Sequence, residues 1–113
     1  MKVLVCGSRN WTDKQRVFDA LDKLMPGITC VVSGGCRGAD AAAMDWAEEK
    51  KIDLRVYPAD WASHGLSAGP RRNQQMLSVE RPDIVLAFGP SGPGTTNMLT
   101  LAERYGFRVE VHQ

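Results

Sequence analysis

Val85-Leu86-Ala87-Phe88-Gly89-Pro90-Ser91-Gly92-Pro93-Gly94-Thr95-Thr96-Asn97-Met98 decides the reading of this chain. A short apolar run, readable as a buried strand, stops at a glycine-rich turn and restarts with the pattern of a helix. Glycine lets backbone N–H groups approach a ligand closely, and a helix start adds unpaired donors and a positive dipole end. Together they make a pocket for an anion, most often a phosphate. The chain repeats the device at Gly7-Ser8-Arg9 and at Gly34-Gly35-Cys36-Arg37-Gly38. Three such turns, each behind a strand-like run, point to a site for a phosphate-bearing small molecule.

Working outward, strand candidates are Lys2–Cys6, Thr29–Ser33, Ile52–Tyr57, Ile84–Phe88 and Arg108–Val111. Helical patterns separate them. After Thr12, read as an N-cap, Val17, Leu21, Leu24 and Met25 recur at helical spacing until Pro26-Gly27. The second helix has an inward stripe of Ala39, Ala42, Ala43, Trp46 and Ala47. The last carries Met98, Leu99, Ala102 and Tyr105, with Gly106 as its C-terminal cap. Strands joined by helix-length crossovers imply a parallel sheet covered on both faces. The expected fold is α/β, a single Rossmann-like three-layer αβα sandwich over residues 1–113 with a five-stranded parallel sheet. The long gap from Pro58 to Ser78 reads as an ordered loop folded over the site, with a short helix from about Arg71.

With 113 residues the chain can bury a core without disulfide or metal. Cys6, Cys30 and Cys36 are odd in number and lack C-x-x-C spacing, so neither zinc nor structural disulfides are expected, and a reducing cytoplasm is the default location. No run is long enough to span a membrane, and residues 2 to 6 are too short for a signal peptide. The net charge of +1 gives no general attraction to nucleic acid or acidic membranes, so any anion binding must be local.

Right-handed crossovers bring strand-to-helix turns to one edge of a parallel sheet, and ligands bind there where strand order reverses. With the order 3-2-1-4-5, Gly7-Ser8-Arg9 would face Gly92-Pro93-Gly94-Thr95, with Gly34-Gly35 alongside. The fourth turn is no Walker loop, because Thr95 stands where the lysine belongs. Thr95 and Thr96 offer hydroxyls at a helix start. Gly34, Gly35, Arg37 and Gly38 could cradle a phosphate or ribose, and Asp40 could accept ribose hydroxyls or simply cap its own backbone. Arg72 presents a guanidinium fork suited to phosphate oxygens, Asn73 a donor and acceptor for base or sugar, and Arg9 a second cation. Arg71 reads as a solvated surface charge. Asp60 and Trp61 offer a carboxylate and a stacking ring, although such a tryptophan can equally anchor its loop. Cys36 as a nucleophile lacks a nearby histidine in sequence. His64 and His112 are given no role.

These pieces in order resemble the SLOG superfamily, and most closely its YspA/cpYpsA-related branch of small bacterial and phage proteins. The resemblance rests on Gly7-Ser8-Arg9 with Trp11-Thr12-Asp13, Ser33 to Asp40, Tyr57-Pro58-Ala59-Asp60-Trp61, Gly69-Pro70-Arg71-Arg72-Asn73 with Met76, and Gly92-Pro93-Gly94-Thr95 leading to Met98. It implies a nucleotide or nucleotide-derived ligand on the glycine loops, with no required cofactor, and self-association as a dimer or higher oligomer. The superfamily includes LOG phosphoribohydrolases, which carry P-G-G-x-G-T-x-x-E and an arginine in R-x-x-x-M. Arg72 and Met76 satisfy the arginine motif. Met98 occupies the glutamate position, and a thioether cannot transfer protons; Pro90-Ser91-Gly92 replaces Pro-Gly-Gly. Hydrolysis of an N-glycosidic or phosphate bond would need another carboxylate, Asp60 or Asp40. A DprA-like binder of single-stranded nucleic acid would use Arg9, Arg37, Arg71 and Arg72, a reading against which the near-neutral charge weighs.

Overall fold

The computed structural model describes residues 1–89 and 92–113; Pro90 and Ser91, part of the fourth turn read above, lie outside the described residues. Five strands, β1 (Lys2–Gly7), β2 (Cys30–Ser33), β3 (Asp53–Val56), β4 (Ile84–Phe88) and β5 (Val109–His112), form an all-parallel sheet in the order β3-β2-β1-β4-β5. This is the order supposed above, under which the glycine turns converge. The chain is a Rossmann-like α/β sandwich.

β1, β2 and β4 are central strands covered on both faces, which is why they read as continuous apolar runs rather than as alternation. Alternate side chains feed two cores. Val3, Val5, Ile84 and Leu86 pack under helices α1 (Lys14–Asp22) and α2 (Ala39–Lys50). Leu4, Val32, Val85 and Ala87 pack under Met76, Leu77 and helix α5 (Pro93–Arg104). The α2 stripe is buried throughout, its alanines letting the helix lie close to the sheet, and the Trp46 indole N–H donates to Asp22 Oδ1 at 2.9 Å.

Three local expectations need correction. The α1 cap is Asp13, not Thr12: its Oδ1 accepts the Arg16 N–H at 3.0 Å, and the helix ends at Asp22, leaving Leu24 and Met25 in the following turn. The inward face of α5 is Thr95, Met98, Leu101 and Ala102, whereas Tyr105 is half exposed; Gly106 does sit just past the helix end, at φ +79°. The gap from Pro58 to Ser78 is helical for most of its length. It holds α3 (Trp61–His64), a 3-10 turn at Gly65–Ser67, α4 (Ala68–Gln75) and a π turn at Met76–Glu80. The α4 helix starts at Ala68 because Pro70, which signals a break, falls in its first turn, where no intrahelical N–H is required.

The π turn closes over a buried carboxylate absent from the sequence reading. Glu80 accepts from Lys2 Nζ at 2.9 Å, Arg55 Nη1 at 2.8 Å and the Tyr57 hydroxyl, tying β1 and the β3 edge to the end of the α4 segment.

Candidate functional site

At the carboxyl end of the sheet lies a cavity of about 440 Å³. Its walls are the turns after β1, β2 and β4, joined by α3 and α4. Of the residues read from sequence, Gly7, Ser8, Arg9, Gly34, Asp40 and Trp61 line it, as do Arg72, Asn73, Gly92, Gly94 and Thr95. Gly35, Arg37, Gly38, Asp60 and Thr96 do not. Cys6, Asn10, Cys36, Gly69, Met76 and Pro93 line it without having been assigned to it.

The first two turns are stitched through their backbones. Ser8 donates its N–H to Phe88 O at 3.0 Å, and its carbonyl accepts from Trp11 at 3.2 Å and from Ala39 at 3.4 Å. A Cβ on Gly38 would collide with Ser8 O, and one on Gly7 with Phe88 O. Gly38, at φ +80°, therefore serves this crossing of two loops although it does not line the cavity.

Arg72 enters from α4 and is held firmly. Its Nη1 donates to Gly34 O at 2.9 Å and Tyr57 O at 3.2 Å, and its Nε donates to Asn73 Oδ1 at 3.0 Å. Gly34 makes room: a Cβ there would lie 2.5 Å from Arg72 Nη1 and 3.0 Å from Asp40 Oδ2. Arg72 and Asp40 thus flank one point without forming an ion pair. Asp40 is buried, and its carboxylate accepts the Cys36 N–H at 3.1 Å. Burial pushes its pKa up to about 6, against the opposing pull of the Cys36 hydrogen bonds and the Arg72 and Arg9 charges. It does not cap α2, whose N-cap is Gly38 without a side-chain bond; it braces the preceding loop at Cys36 and is a titratable group on the cavity wall.

Asn73 is turned inward. Its Nδ2 donates to Gly94 O and to Asn97 Oδ1, both at 3.1 Å, so its amide joins α4 to the fourth turn. In α5, Gly92 is the N-cap and Pro93 the first helical residue; Thr96 N–H returns to Gly92 O at 3.2 Å. The amides of Gly94 and Thr95 between them have no hydrogen-bond acceptor among the described residues. Nothing among those residues comes within 4 Å of where a Cβ would stand at Gly92 or Gly94. Gly94 and Thr95 both stand in the first turn of α5, at its positive end.

Trp61 stands at the mouth, half exposed, with the Arg9 guanidinium 5.7 Å from its ring centroid and Gly69 beneath its edge. Asp60 is exposed and caps α3 by accepting the Ser63 N–H at 3.1 Å; hydrogen bonds with Ser63 pull its pKa down. Arg37 is exposed and Arg71 donates to Ser67 Oγ at 3.1 Å. Burial and then the Asp40 charge push the Cys6 thiol up to about 12, so it stays protonated, and no histidine lines the cavity beside Cys36. Among the described residues no three His, Cys, Asp or Glu side chains gather as a metal site, and no helix is long and apolar enough to cross a membrane.

A family model described as YAcAr, the YspA, cpYpsA-related SLOG family, matches residues 1–64. Gene 61 protein of Mycobacterium phage D29 is 40% identical over 118 residues, covering 96% of this chain and 93% of that protein. Among solved structures, UDP-GlcNAc 2-epimerase from Neisseria meningitidis, crystallised with UDP-GlcNAc, matches 98% of this chain with a TM-score of 0.56 and 19% identity. The chain spans 32% of that epimerase, and the likeness at this identity is one of fold.

Proposed function

The chain belongs to the YspA, cpYpsA-related SLOG family, and from that premise we propose that it binds a nucleotide or nucleotide-derived phosphate ligand at the carboxyl rim of its sheet. The observation that carries this reading is the convergence of Gly94, Thr95, Arg72 and the Arg9–Trp61 pair on one cavity of about 440 Å³. That volume is in the range of small-molecule sites, roughly 300–1,000 Å³. The amides and Arg72 would take the phosphate, Trp61 the base, and Asp40 a sugar hydroxyl. A neighbour of like fold that was crystallised with a UDP-sugar fits the same class of ligand.

The test is thermal unfolding with a panel of AMP, ADP-ribose, NAD and cyclic nucleotides. At one hundred times its dissociation constant a ligand should add about 2.7 kcal/mol. At least one compound should stabilise the wild type saturably and Arg72→Gln less. A folded protein indifferent to the whole panel would overturn the proposal.

One observation favours a second reading, hydrolysis of a nucleotide-derived substrate. Asp40 is a carboxyl in the cavity whose pKa is raised to about 6, the range suited to acid–base work near neutral pH. Asp60, the other candidate, stands outside the cavity and has its pKa lowered. Chromatography would show product formation by the wild type and none by Asp40→Asn. Turnover that survives in Asp40→Asn removes Asp40 as catalyst.

A further inference from the structure

The geometry points to Asn73 as a positioning residue that locks the Arg72 guanidinium and the Thr95 amide at the start of α5 into one anion-binding constellation. This inference rests on the proposed binding reading and deepens it.

Asn73 is 3% exposed, and both hydrogens of its side-chain amide are engaged inside the protein. An amide nitrogen has two hydrogens; here they address Gly94 O and Asn97 Oδ1. The amide oxygen accepts from Arg72 Nε. No donor hydrogen of Asn73 remains for a base or a sugar, the role that its type suggested. Its orientation is dictated as well. Arg72 Nε only donates and Gly94 O only accepts, so a flipped amide would set nitrogen against nitrogen and oxygen against oxygen.

The consequence is geometric. In a planar trans peptide the C=O and the following N–H point in opposite directions. Holding Gly94 O from the α4 side fixes the line along which the Thr95 N–H points. The oxygen of the same amide holds Arg72 Nε, while Gly34 O and Tyr57 O hold Arg72 Nη1. One buried side chain therefore touches both the cation and the peptide that carries the Thr95 N–H, in segments more than twenty residues apart.

Asn73→Ala removes all three bonds. Asn73→Asp keeps an acceptor for Arg72 but turns oxygen toward Gly94 O and Asn97 Oδ1, and it serves as the second variant should Asn73→Ala not fold. AMP is the probe, titrated by calorimetry into wild type, the Asn73 variant, Arg72→Lys and the double variant. A lysine has no Nε–H fork to be held, so the Asn73 effect must shrink in the Arg72→Lys background. Loss of a charge-assisted hydrogen bond corresponds to an affinity drop of about tenfold or more in the Arg72 background. Wild-type affinity in a folded Asn73 variant, or factors that simply multiply in the double variant, would overturn the inference.

The ¹⁵N spectrum of the unliganded protein gives a readout that needs no ligand. The Arg72 Nε–H and Thr95 N–H signals should both move in Asn73→Ala, and only Thr95 should move strongly in Asn73→Asp. If neither signal moves in the variant that folds, Asn73 does not position these groups. Should wild type bind neither AMP nor any other member of the panel while both signals shift as expected, the binding reading fails and the positioning stands.

Discussion

Gly34 is the residue on which the Arg72 clamp turns. An alanine methyl would stand 2.5 Å from Arg72 Nη1 and 2.9 Å from its Cζ, the far end of a long side chain that can move away. Gly34→Ala should therefore fold, within roughly 1 kcal/mol of wild type in urea unfolding. Its AMP response should fall about tenfold, since the guanidinium leaves the place where its hydrogen bonds hold it. Full AMP response in Gly34→Ala would mean that the clamp position is not needed. Asp40 makes a second prediction at this scale. Its folded pKa of about 6 exceeds the ordinary 3.8, so the native state binds this proton more tightly than the unfolded chain. The contribution is present at acidic pH and is lost as pH rises through 6, by about 3 kcal/mol at most. Asp40→Asn, which keeps an oxygen for the Cys36 N–H, should be more stable than wild type at pH 8, with the advantage fading toward pH 4. Urea midpoints that differ by the same amount at every pH would refute this.

At the scale of elements, the π turn at Met76–Glu80 is a fastening as much as a helix end. Burial alone would raise the Glu80 carboxyl, yet hydrogen bonds from Tyr57, Lys2 and Arg55 hold its pKa below the usual glutamate value. Its contribution is thus present at neutral pH and is lost as pH falls through the carboxylate range, opposite in sign to that of Asp40. Glu80→Gln should cost about 2 kcal/mol at pH 7, and less at acidic pH, measured by chemical unfolding. Equal cost at both pH values would show that charge plays no part. Glu80 also marks where sequence reading ended. Lys2, Arg55 and Tyr57 lie 78, 25 and 23 residues away, and no local pattern announces such a pairing. The same holds for Asn73 with Gly94 and Asn97. The strands were legible because apolar runs of β-branched residues have a period and a length of their own. The glycine turns were legible as turns because such backbone conformations leave few other residue choices. Asp60 misled because capping a helix and serving a cavity call for the same carboxylate.

For the whole molecule, the order β3-β2-β1-β4-β5 puts the reversal of connection between β1 and β4. Gly7 therefore pairs with Phe88 at the last step of the ladder, and the turns after both strands open side by side. Crossovers on one side of this line supply α1 and α2, and on the other the α4 segment and α5. The cavity is what lies between their starts. A ligand there touches segments from both halves of the sheet, so its binding should slow hydrogen exchange at Gly94 and Thr95 and around Arg9 and Cys36 together. Protection confined to one half, with saturating AMP, would place the ligand elsewhere.

Trp61, with Arg9 against its ring at the cavity mouth, has an optical consequence. Trp46 is sealed in the core and Trp11 is packed on Phe88, so neither indole stands where an entering molecule would touch it. The emission change caused by an added compound should come from Trp61 and vanish in Trp61→Phe. The protein thus carries its own unlabelled reporter, with which compound libraries can be screened by fluorescence in a plate.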